Sequence, residues 1–192
     1  MKILLLDNYD SFTYMLKDYI EQCGNDCMVY RNDDPLLDRI DLNNFDAIVI
    51  SPGPKKPVEA GKLNALLQQW IMLKPILGIC LGHQALGEYF GARLTKSKLP
   101  RHGKADKITH NGNSIFDGIP SEFKATRYHS LILENLPESL IQTCTSKNEL
   151  MGFVHKTLPI WGLQFHPESC QTEFGINLLK NFFNQVKKIA HS

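Results

Sequence analysis

The ten residues GICLGHQALG, from Gly78 to Gly87, constrain the fold more than any other stretch of the sequence. The apolar residues before Cys80 predict a buried strand, and HQALGEYF after it predicts a short helix. Glycines stand two residues before and two residues after the cysteine. A strand that turns sharply into a helix admits only small neighbours, and it lifts the central side chain above the sheet edge. Cys80 is therefore either a nucleophile at a helix N-terminus or a small buried cysteine in a tight turn.

The N-terminal half of the sequence predicts strands that alternate with helices. Apolar residues at helical spacing predict one helix from about Phe12 to Gly24, with Ser11 as its N-cap, and a second helix over Leu63–Leu73. The predicted strands are short and mostly apolar, and they cover Lys2–Asp7, Cys27–Arg31, Ala47–Ser51 and Pro75–Ile79. This alternation is typical of an open parallel α/β sheet, in which sites form beyond the carboxyl ends of the strands.

Shorter segments after Ala92 predict further strands, some antiparallel and some extending the first sheet. Turn sequences separate them at 111–113 and 135–138, and a helix is expected from Thr172 to about Ile189. We therefore predict one α/β domain over residues 1–192. Its core is an open, mostly parallel central sheet with flanking helices, accompanied by a small additional antiparallel sheet.

Charge and composition argue against several classes of protein. The chain has 21 basic and 20 acidic residues, and its formal net charge of +1 gives no electrostatic argument for nucleic acid or an anionic membrane. No apolar run approaches the ~20 residues of a membrane span, and MKILLLD is too short for a secretory signal. No Cys or His pair follows Cys23 and Cys27 at a spacing that would complete a zinc site. Free thiols in a reducing cytoplasm are expected.

The segment FHPES, residues 165–169, supplies the best base for a cysteine nucleophile. A catalytic thiolate needs a base, and the base needs an orienting carboxylate. His166 ends an apolar segment, and Glu168 follows two residues later, on the same face of an extended chain. The alternative is a solvated, inert pair at a strand end. His83 is a weaker candidate because no carboxylate has an obvious position beside it.

Acyl chemistry also needs hydrogen-bond donors for an oxyanion. The backbone N–H of Leu81, directly after the cysteine, is one predicted donor. The second is expected from Gly53 in the loop PGPKKPVEAG, residues 52–61, since glycine allows close approach of the backbone.

Six motifs, in order along essentially the whole chain, resemble those of class I (triad-type) glutamine amidotransferases. They resemble in particular component II of anthranilate synthase or of aminodeoxychorismate synthase. The motifs are DNYDSFT (7–13), SPGP…P..AG (51–61), GICLGHQALG (78–87), HGK (102–104), TRYHSL (126–131) and GLQFHPES (162–169). The resemblance implies a flavodoxin-like arrangement of the α/β sheet.

The activity implied by the resemblance is a glutaminase that hands ammonia to a partner. Cys80 would attack the side-chain amide of glutamine. His166, oriented by Glu168, would transfer the proton, while the amides of Gly53 and Leu81 would hold the oxyanion. No metal or organic cofactor is implied.

The resemblance also implies which residues bind L-glutamine. They are Gly53, Pro54, Gln84 and the backbone around Ser130 and Leu131. Gln84 lies one helical turn after the cysteine, so its amide can reach the same pocket.

The implied partner is a chorismate-binding component I. Because the chain stops at Ser192 without a synthase domain, we expect a separate polypeptide, docked near PGPKKP and residues 102–104. Four positions in three segments depart from the family pattern: Lys55 replaces the usual Gly, Arg101 replaces Met or Leu, and Cys170-Gln171 replaces an apolar pair. The sequence does not separate anthranilate from aminodeoxychorismate synthesis.

Two other functions stay open. A stand-alone cysteine hydrolase or peptidase could use a similar fold, although Gln84 and the TRYHSL motif argue against it. A non-catalytic subunit could also keep the fold, although the complete set of Cys80, His166 and Glu168 argues against that.

Overall fold

The computed structural model describes residues 1–98, 100, 103–112 and 114–191, and these contain eleven strands, four α-helices and four short 3-10 helices. The strands are β1 (Lys2–Asp7), β2 (Asp26–Arg31), β3 (Ala47–Ile50), β4 (Ile76–Ile79), β5 (Arg93–Lys96), β6 (Lys104–His110), β7 (Glu122–Arg127), β8 (Leu131–Glu134), β9 (Leu140–Ser146), β10 (Glu149–His155) and β11 (Ile160–Leu163). The helices are α1 (Thr13–Gln22), α2 (Leu63–Trp70), α3 (Leu81–Tyr89) and α4 (Gly175–Ala190). Arg101, His102 and Asn113, which carry parts of the predicted motifs and turns, lie outside the described residues.

Nine strands form one sheet in the order β2-β1-β3-β4-β11-β10-β9-β6-β7. Neighbours from β2 to β11 are parallel, and neighbours from β11 to β7 are antiparallel. β5 and β8 form a separate antiparallel pair. The predicted fold class is confirmed, and each of the four predicted N-terminal strands agrees with the structure to within one residue.

The inner parallel strands β1, β3, β4 and β11 are buried on both faces because helices cover both sides of the sheet, whereas the edge strand β2 is partly exposed. Alternate residues of β1 point to opposite layers. Ile3 and Leu5 pack in the layer that holds α1 and α4, whereas Leu4 and Leu6 pack in the layer that holds α2 and α3. No helix of the described residues is long and apolar enough to cross a membrane.

Two helix starts differ from the prediction, and both differences have a local cause. Ser11 is not the N-cap of α1. Phe12 precedes the helix without a side-chain cap, and its N–H donates to the Asp10 carboxylate at 2.8 Å. α4 begins at Gly175 rather than Thr172, because Phe174 has a left-handed φ of 60° and Glu173 donates its N–H to the Lys124 carbonyl at 2.9 Å. In both cases the residues directly before the helix belong to a loop and not to the first turn of the helix.

The strand order places three loops at one edge. β4 pairs in parallel with β3 on one side and with β11 on the other. The proline-rich loop follows β3, Cys80 follows β4, and the segment 164–169 follows β11. The carboxyl ends of these strands therefore bring together three segments that are far apart in the sequence.

Candidate active site

Cys80 lies in the turn between β4 and α3, in a conformation that L-residues rarely adopt. Its φ is 51° and its ψ is −99°, outside the main allowed regions. Its N–H donates to the Leu163 carbonyl at 2.8 Å, and its carbonyl accepts the N–H of Gln84 at 3.0 Å. The strained residue is thus held from β11 on one side and from α3 on the other.

The two flanking glycines are required by space. A Cβ on Gly78 would lie 2.5 Å from the carbonyl group of Gly82, and a Cβ on Gly82 would lie 2.7 Å from the Ile50 carbonyl oxygen. Both distances are shorter than any real Cβ contact, and the obstructing atoms are backbone. The predicted reason for the G-x-C-x-G spacing is confirmed.

The structure brings His166 and Glu168 together as the spacing predicts. His166 Nδ1 and Glu168 Oε1 are 2.7 Å apart, and both side chains are almost fully buried. The backbone of His166 donates to the Thr126 carbonyl at 3.0 Å and accepts from the Thr172 hydroxyl at 2.6 Å. The pair is therefore fixed against β7 and is not a solvated strand end.

The electrostatics of His166 favour its charged form. Burial alone would lower its pKa. The charges of Cys80 and Glu168 oppose this, and with hydrogen bonding they hold the pKa of His166 well above its ordinary value. The second ring nitrogen, Nε2, is buried and has no hydrogen-bond partner among the described residues. It is the atom available to exchange a proton at the site.

A cavity of about 150 Å³ opens beside the cysteine. This is well below the roughly 300 Å³ at which pockets for drug-sized ligands begin, so it suits a small polar molecule. Its lining contains every residue predicted to bind glutamine, together with the cysteine and three others: Gly53, Pro54, Lys55, Cys80, Gln84, Tyr128, His129, Ser130 and Leu131.

The two predicted oxyanion donors belong to segments that lie in contact. A Cβ on Gly53 would lie 2.6 Å from the Leu81 side chain and 2.7 Å from the Cβ of Asn8, so only glycine allows this approach. Asn8 fixes the loop from the other side. Its N–H donates to the Ser51 hydroxyl at 2.9 Å, and its Nδ2 donates to the Ser51 carbonyl at 3.0 Å. The role of Gly53 and Leu81 as oxyanion donors stays a prediction.

Gln84 has a fixed orientation at the wall of the cavity. Its Nε2 donates to the Leu131 carbonyl at 3.1 Å and to Gln164 Oε1 at 3.0 Å. Because both N–H groups are engaged within the protein, the carbonyl oxygen of Gln84 is the group left to accept a hydrogen bond from a ligand.

A buried ionic cluster supports the segment that carries Leu131. Arg127 is fully buried, pairs with Asp106 at 3.1 Å and with Glu149, and donates from Nε to His129 Nε2 at 3.0 Å. His129 Nδ1 lies 2.9 Å from the Leu131 carbonyl oxygen. Burial and the Arg127 charge lower the pKa of His129 to about 3. The ring is thus neutral at physiological pH and carries its proton on Nδ1, facing that carbonyl.

Sequence reasoning missed three side chains that contact the catalytic candidates. Phe12 and Tyr128 meet the His166 ring edge-on, with centroids 5.9 and 5.1 Å away. Gln164 donates to the Cys80 sulfur at 3.6 Å. All three lie inside the motifs DNYDSFT, TRYHSL and GLQFHPES, but aromatic and amide side chains are not typical acid–base groups.

His83 has a structural position, in line with its lower rank as a base. It is fully buried against Phe153, with ring centroids 4.8 Å apart, and a Cβ on Gly162 would lie 2.7 Å from its Nδ1. Burial lowers the pKa of His83 to about 3. A neutral ring packed between α3 and β11 suits a core residue.

A cysteine on a strand–helix turn, faced by a His–Glu pair from the next parallel strand, defines an α/β enzyme of the nucleophile-elbow type. Within that class the chain belongs to the class-I glutamine amidotransferases, whose family model matches residues 4–186.

Named relatives share this sequence over most of its length. The chain is 45% identical over 186 residues to anthranilate synthase component 2 of Thermus thermophilus, covering 95% of this chain and 91% of that one. It is 43% identical over 189 residues to aminodeoxychorismate/anthranilate synthase component 2 of Bacillus subtilis, covering 97% of each. It spans 34% of a longer relative, the bifunctional protein TrpGD of Thermotoga maritima.

A solved structure shares the fold. It is that of a Thermoplasma acidophilum protein described as a GMP synthase subunit. The TM-score is 0.90 at 30% identity, and the match covers 100% of this chain and 96% of that one.

Proposed function

We propose that this protein is a glutaminase subunit. It hydrolyses L-glutamine to glutamate and ammonia through a thioester on Cys80. The ammonia passes to a chorismate-using synthase component I, for anthranilate or aminodeoxychorismate synthesis. The observation that carries the proposal is the small cavity at Cys80, whose lining includes all the residues expected to bind glutamine. The component 2 names of the relatives support the choice of partner.

Binding positions the substrate amide over the sulfur. The free carbonyl oxygen of Gln84 accepts a hydrogen bond from the α-ammonium group of glutamine, and the backbone at Ser130 and Leu131 contacts the same end of the molecule. The side-chain amide then extends between Cys80 and Gly53. A cavity of this size suits a single amino acid.

Before the attack, the thiol proton of Cys80 has passed to His166 Nε2, which gives the charged pair that the electrostatics of the site favour. The sulfur attacks the amide carbon, and the N–H groups of Gly53 and Leu81 stabilise the oxyanion that forms. The C–N bond breaks as His166 gives its proton to the leaving nitrogen, so that ammonia departs and a γ-glutamyl thioester remains. Glu168 keeps the ring oriented and stabilises its charge.

Deacylation repeats the proton transfers with water. His166 takes a proton from water, whose oxygen attacks the thioester carbon. The C–S bond breaks and glutamate leaves, and the site returns to the charged pair of Cys80 sulfur and protonated His166. Apart from the attacking water, the proposed steps use side chains and backbone groups of the protein.

Ammonia is mostly protonated at neutral pH and is then not nucleophilic, so a sealed route to the synthase is advantageous. We propose that component I is a separate chain that docks on the exposed rim formed by Lys55, Lys56 and Val58 and on the exposed Lys104. We also propose that residues 1–192 are a single amidotransferase domain. A cytoplasmic location is further proposed, because the five cysteines are free.

Replacement of Cys80 with alanine tests this function in the complex with component I. We expect Cys80→Ala to abolish glutamine-dependent synthesis and to leave synthesis from added ammonium intact. Full glutamine-dependent activity in that variant would refute the mechanism. Peptide hydrolysis by the isolated chain would favour a stand-alone hydrolase, and identification of the aromatic product would separate the two pathways.

A further inference from the structure

Gln164 is a fully buried polar residue that the mechanism above does not use. It follows the last residue of β11 and precedes His166 by two positions. Its backbone N–H donates to the Met151 carbonyl at 2.9 Å, which fixes its position across the sheet. Its side chain enters the space between the nucleophile and the wall of the glutamine cavity.

The amide of Gln164 contacts two functional groups at once. Nε2 donates to the Cys80 sulfur at 3.6 Å, and Oε1 accepts from Gln84 Nε2 at 3.0 Å. The neighbours dictate this orientation. Gln84 Nε2 also donates to the Leu131 carbonyl, so it faces Gln164 as a donor and requires the carbonyl oxygen there. The amino group of Gln164 is thereby turned toward the sulfur.

The orientation is anchored far from the sulfur. The Leu131 carbonyl that receives Gln84 also receives His129, and His129 is held by the buried Arg127. A continuous series of hydrogen bonds thus runs from the ionic cluster through the cavity wall to the nucleophile. A buried network of this kind specifies one arrangement when all its members are satisfied.

We propose that Gln164 is a further catalytic residue, whose amide N–H stabilises the charged sulfur of Cys80 and whose carbonyl oxygen aligns Gln84 in the same cavity. The identity of the attacked substrate rests on the proposed function, whereas the contact with the sulfur does not. A hydrogen bond to an ionised acceptor is roughly twice as strong as one to a neutral acceptor. The contact therefore favours the charged sulfur over the thiol, which a packing role alone would not do.

The test measures how the reactivity of the Cys80 sulfur depends on pH. The rate of carbamidomethylation by iodoacetamide is followed at the Cys80 peptide by mass spectrometry, so the other cysteines do not interfere. Gln164→Met keeps the length of the side chain and removes the donor, and Gln164→Glu replaces the amide with a carboxylate. Gln68→Met, on the exposed face of α2, is the matched control.

We expect the pH midpoint of alkylation to rise by about one unit in Gln164→Met, as the loss of one hydrogen bond to a charged group implies. The midpoint should rise further in Gln164→Glu, because a second negative charge then faces the sulfur, and it should not move in Gln68→Met. In the complex, kcat/KM for glutamine should fall about 10-fold in Gln164→Met, while ammonium-dependent synthesis is retained. Equal midpoints in the wild type and both folded Gln164 variants would overturn the proposal.

The readouts separate this inference from the proposed function. If the wild type released no ammonia from glutamine, the proposed glutaminase function would be refuted. The alkylation series would still test the contact between Gln164 and the Cys80 sulfur. If the Gln164 variants did not fold, NMR spectra of the wild type and of Cys80→Ala, both labelled with ¹⁵N-glutamine, would test the contact instead. We expect one side-chain amide signal to titrate with the alkylation midpoint in the wild type and to lose this titration in Cys80→Ala. A spectrum without such a signal would contradict the contact.

Discussion

Glu168 shows how a single charge sets the chemistry of the site. Its carboxylate contacts His166 at 2.7 Å and helps to raise the pKa of that ring against the effect of burial. In Glu168→Gln the charge is lost but the shape is kept. The pKa of His166 should therefore fall, and the imidazolium needed to protonate the leaving nitrogen should be lost at lower pH.

We expect kcat/KM for glutamine to fall about 100-fold in Glu168→Gln, within the range for a disabled acid–base group. The basic limb of the pH–rate profile should move to lower pH. Glu138→Gln, on an exposed turn, is the control and should keep the wild-type profile. A profile of unchanged position in Glu168→Gln would show that the carboxylate does not tune the base.

The buried His83 should make the stability of the fold sensitive to acid. Burial lowers its pKa from an ordinary 6.5 to about 3. Between these two pH values the ring binds a proton in the unfolded chain but stays neutral in the native state. The stability from this group is complete above pH 6.5 and is lost as the pH falls toward 3, at a slope of about 1.4 kcal/mol per pH unit. His129 follows the same rule.

Urea unfolding between pH 7 and pH 4 measures this slope. His83→Leu should reduce the loss of unfolding free energy per pH unit, whatever its effect on stability at pH 7. His191→Gln, at an exposed position near the C-terminus, should leave the slope unchanged. Identical slopes in His83→Leu and the wild type would mean that the ring binds protons equally in the native and unfolded states.

The candidate catalytic residues could be proposed from the sequence because their types and spacing indicate a particular chemistry. A cysteine between two glycines and a histidine two residues from a glutamate each suggest a role on their own. Gln164 gives no such signal, because an amide has no acid–base function and its two partners lie 80 or more positions away in the sequence. Only the three-dimensional arrangement identifies it.

At the scale of elements, the loop after β3 holds Lys55 at the position where the resemblance to class I amidotransferases implies a glycine. Lys55 has a φ of 64°, in the left-handed region that favours glycine. The side chain is mostly exposed and meets Glu59 only at 3.9 Å. The departure from the family pattern therefore adds backbone strain without a close compensating contact, and the loop is held by Asn8 and Ser51 instead.

We expect Lys55→Gly to be more stable than Lys55→Ala by about 1 kcal/mol, because only glycine adopts this conformation without steric cost. Chemical denaturation of the two variants measures the difference, and the alanine variant is the control for loss of the lysine side chain. Glutaminase activity should persist in both. An alanine variant as stable as the glycine variant would mean that the loop relaxes to another conformation.

The element boundaries show the limit of local sequence information. Strand positions followed from short apolar runs, but the start of α4 did not. A Cβ on Gly175 would lie 1.9 Å from the Pro167 carbonyl oxygen, and Thr172 binds the His166 carbonyl. The residues before α4 are thus committed to the loop that carries the base. The loop is held in place by contacts with β7, which lies almost fifty positions earlier in the sequence. The start of α4 could therefore not be inferred from the local sequence pattern.

At the scale of the molecule, the order β3-β4-β11 decides which surface surrounds the site. The candidate nucleophile, the candidate base and the proline-rich loop lie at one edge of the sheet, so we expect a synthase that receives ammonia from this site to cover that edge. Lys56 lies there and is exposed, one residue before the short helix Pro57–Glu59. Lys187 is equally exposed but lies on α4, outside the loops that frame the cavity.

Charge reversal at these two lysines tests the docking face. We expect Lys56→Glu to weaken the complex with component I about 10-fold, a typical effect for a close charge pair at an interface. Glutamine-dependent synthesis should fall in parallel at limiting subunit concentration and recover when the subunit is in excess, because the cavity itself is intact. Ammonium-dependent synthesis should not change.

Titration calorimetry gives the affinity, and Lys187→Glu should bind like the wild type. If Lys187→Glu weakened the complex and Lys56→Glu did not, the partner would sit on the helical side of the molecule, and ammonia would have to leave the site by a route other than the open edge of the sheet.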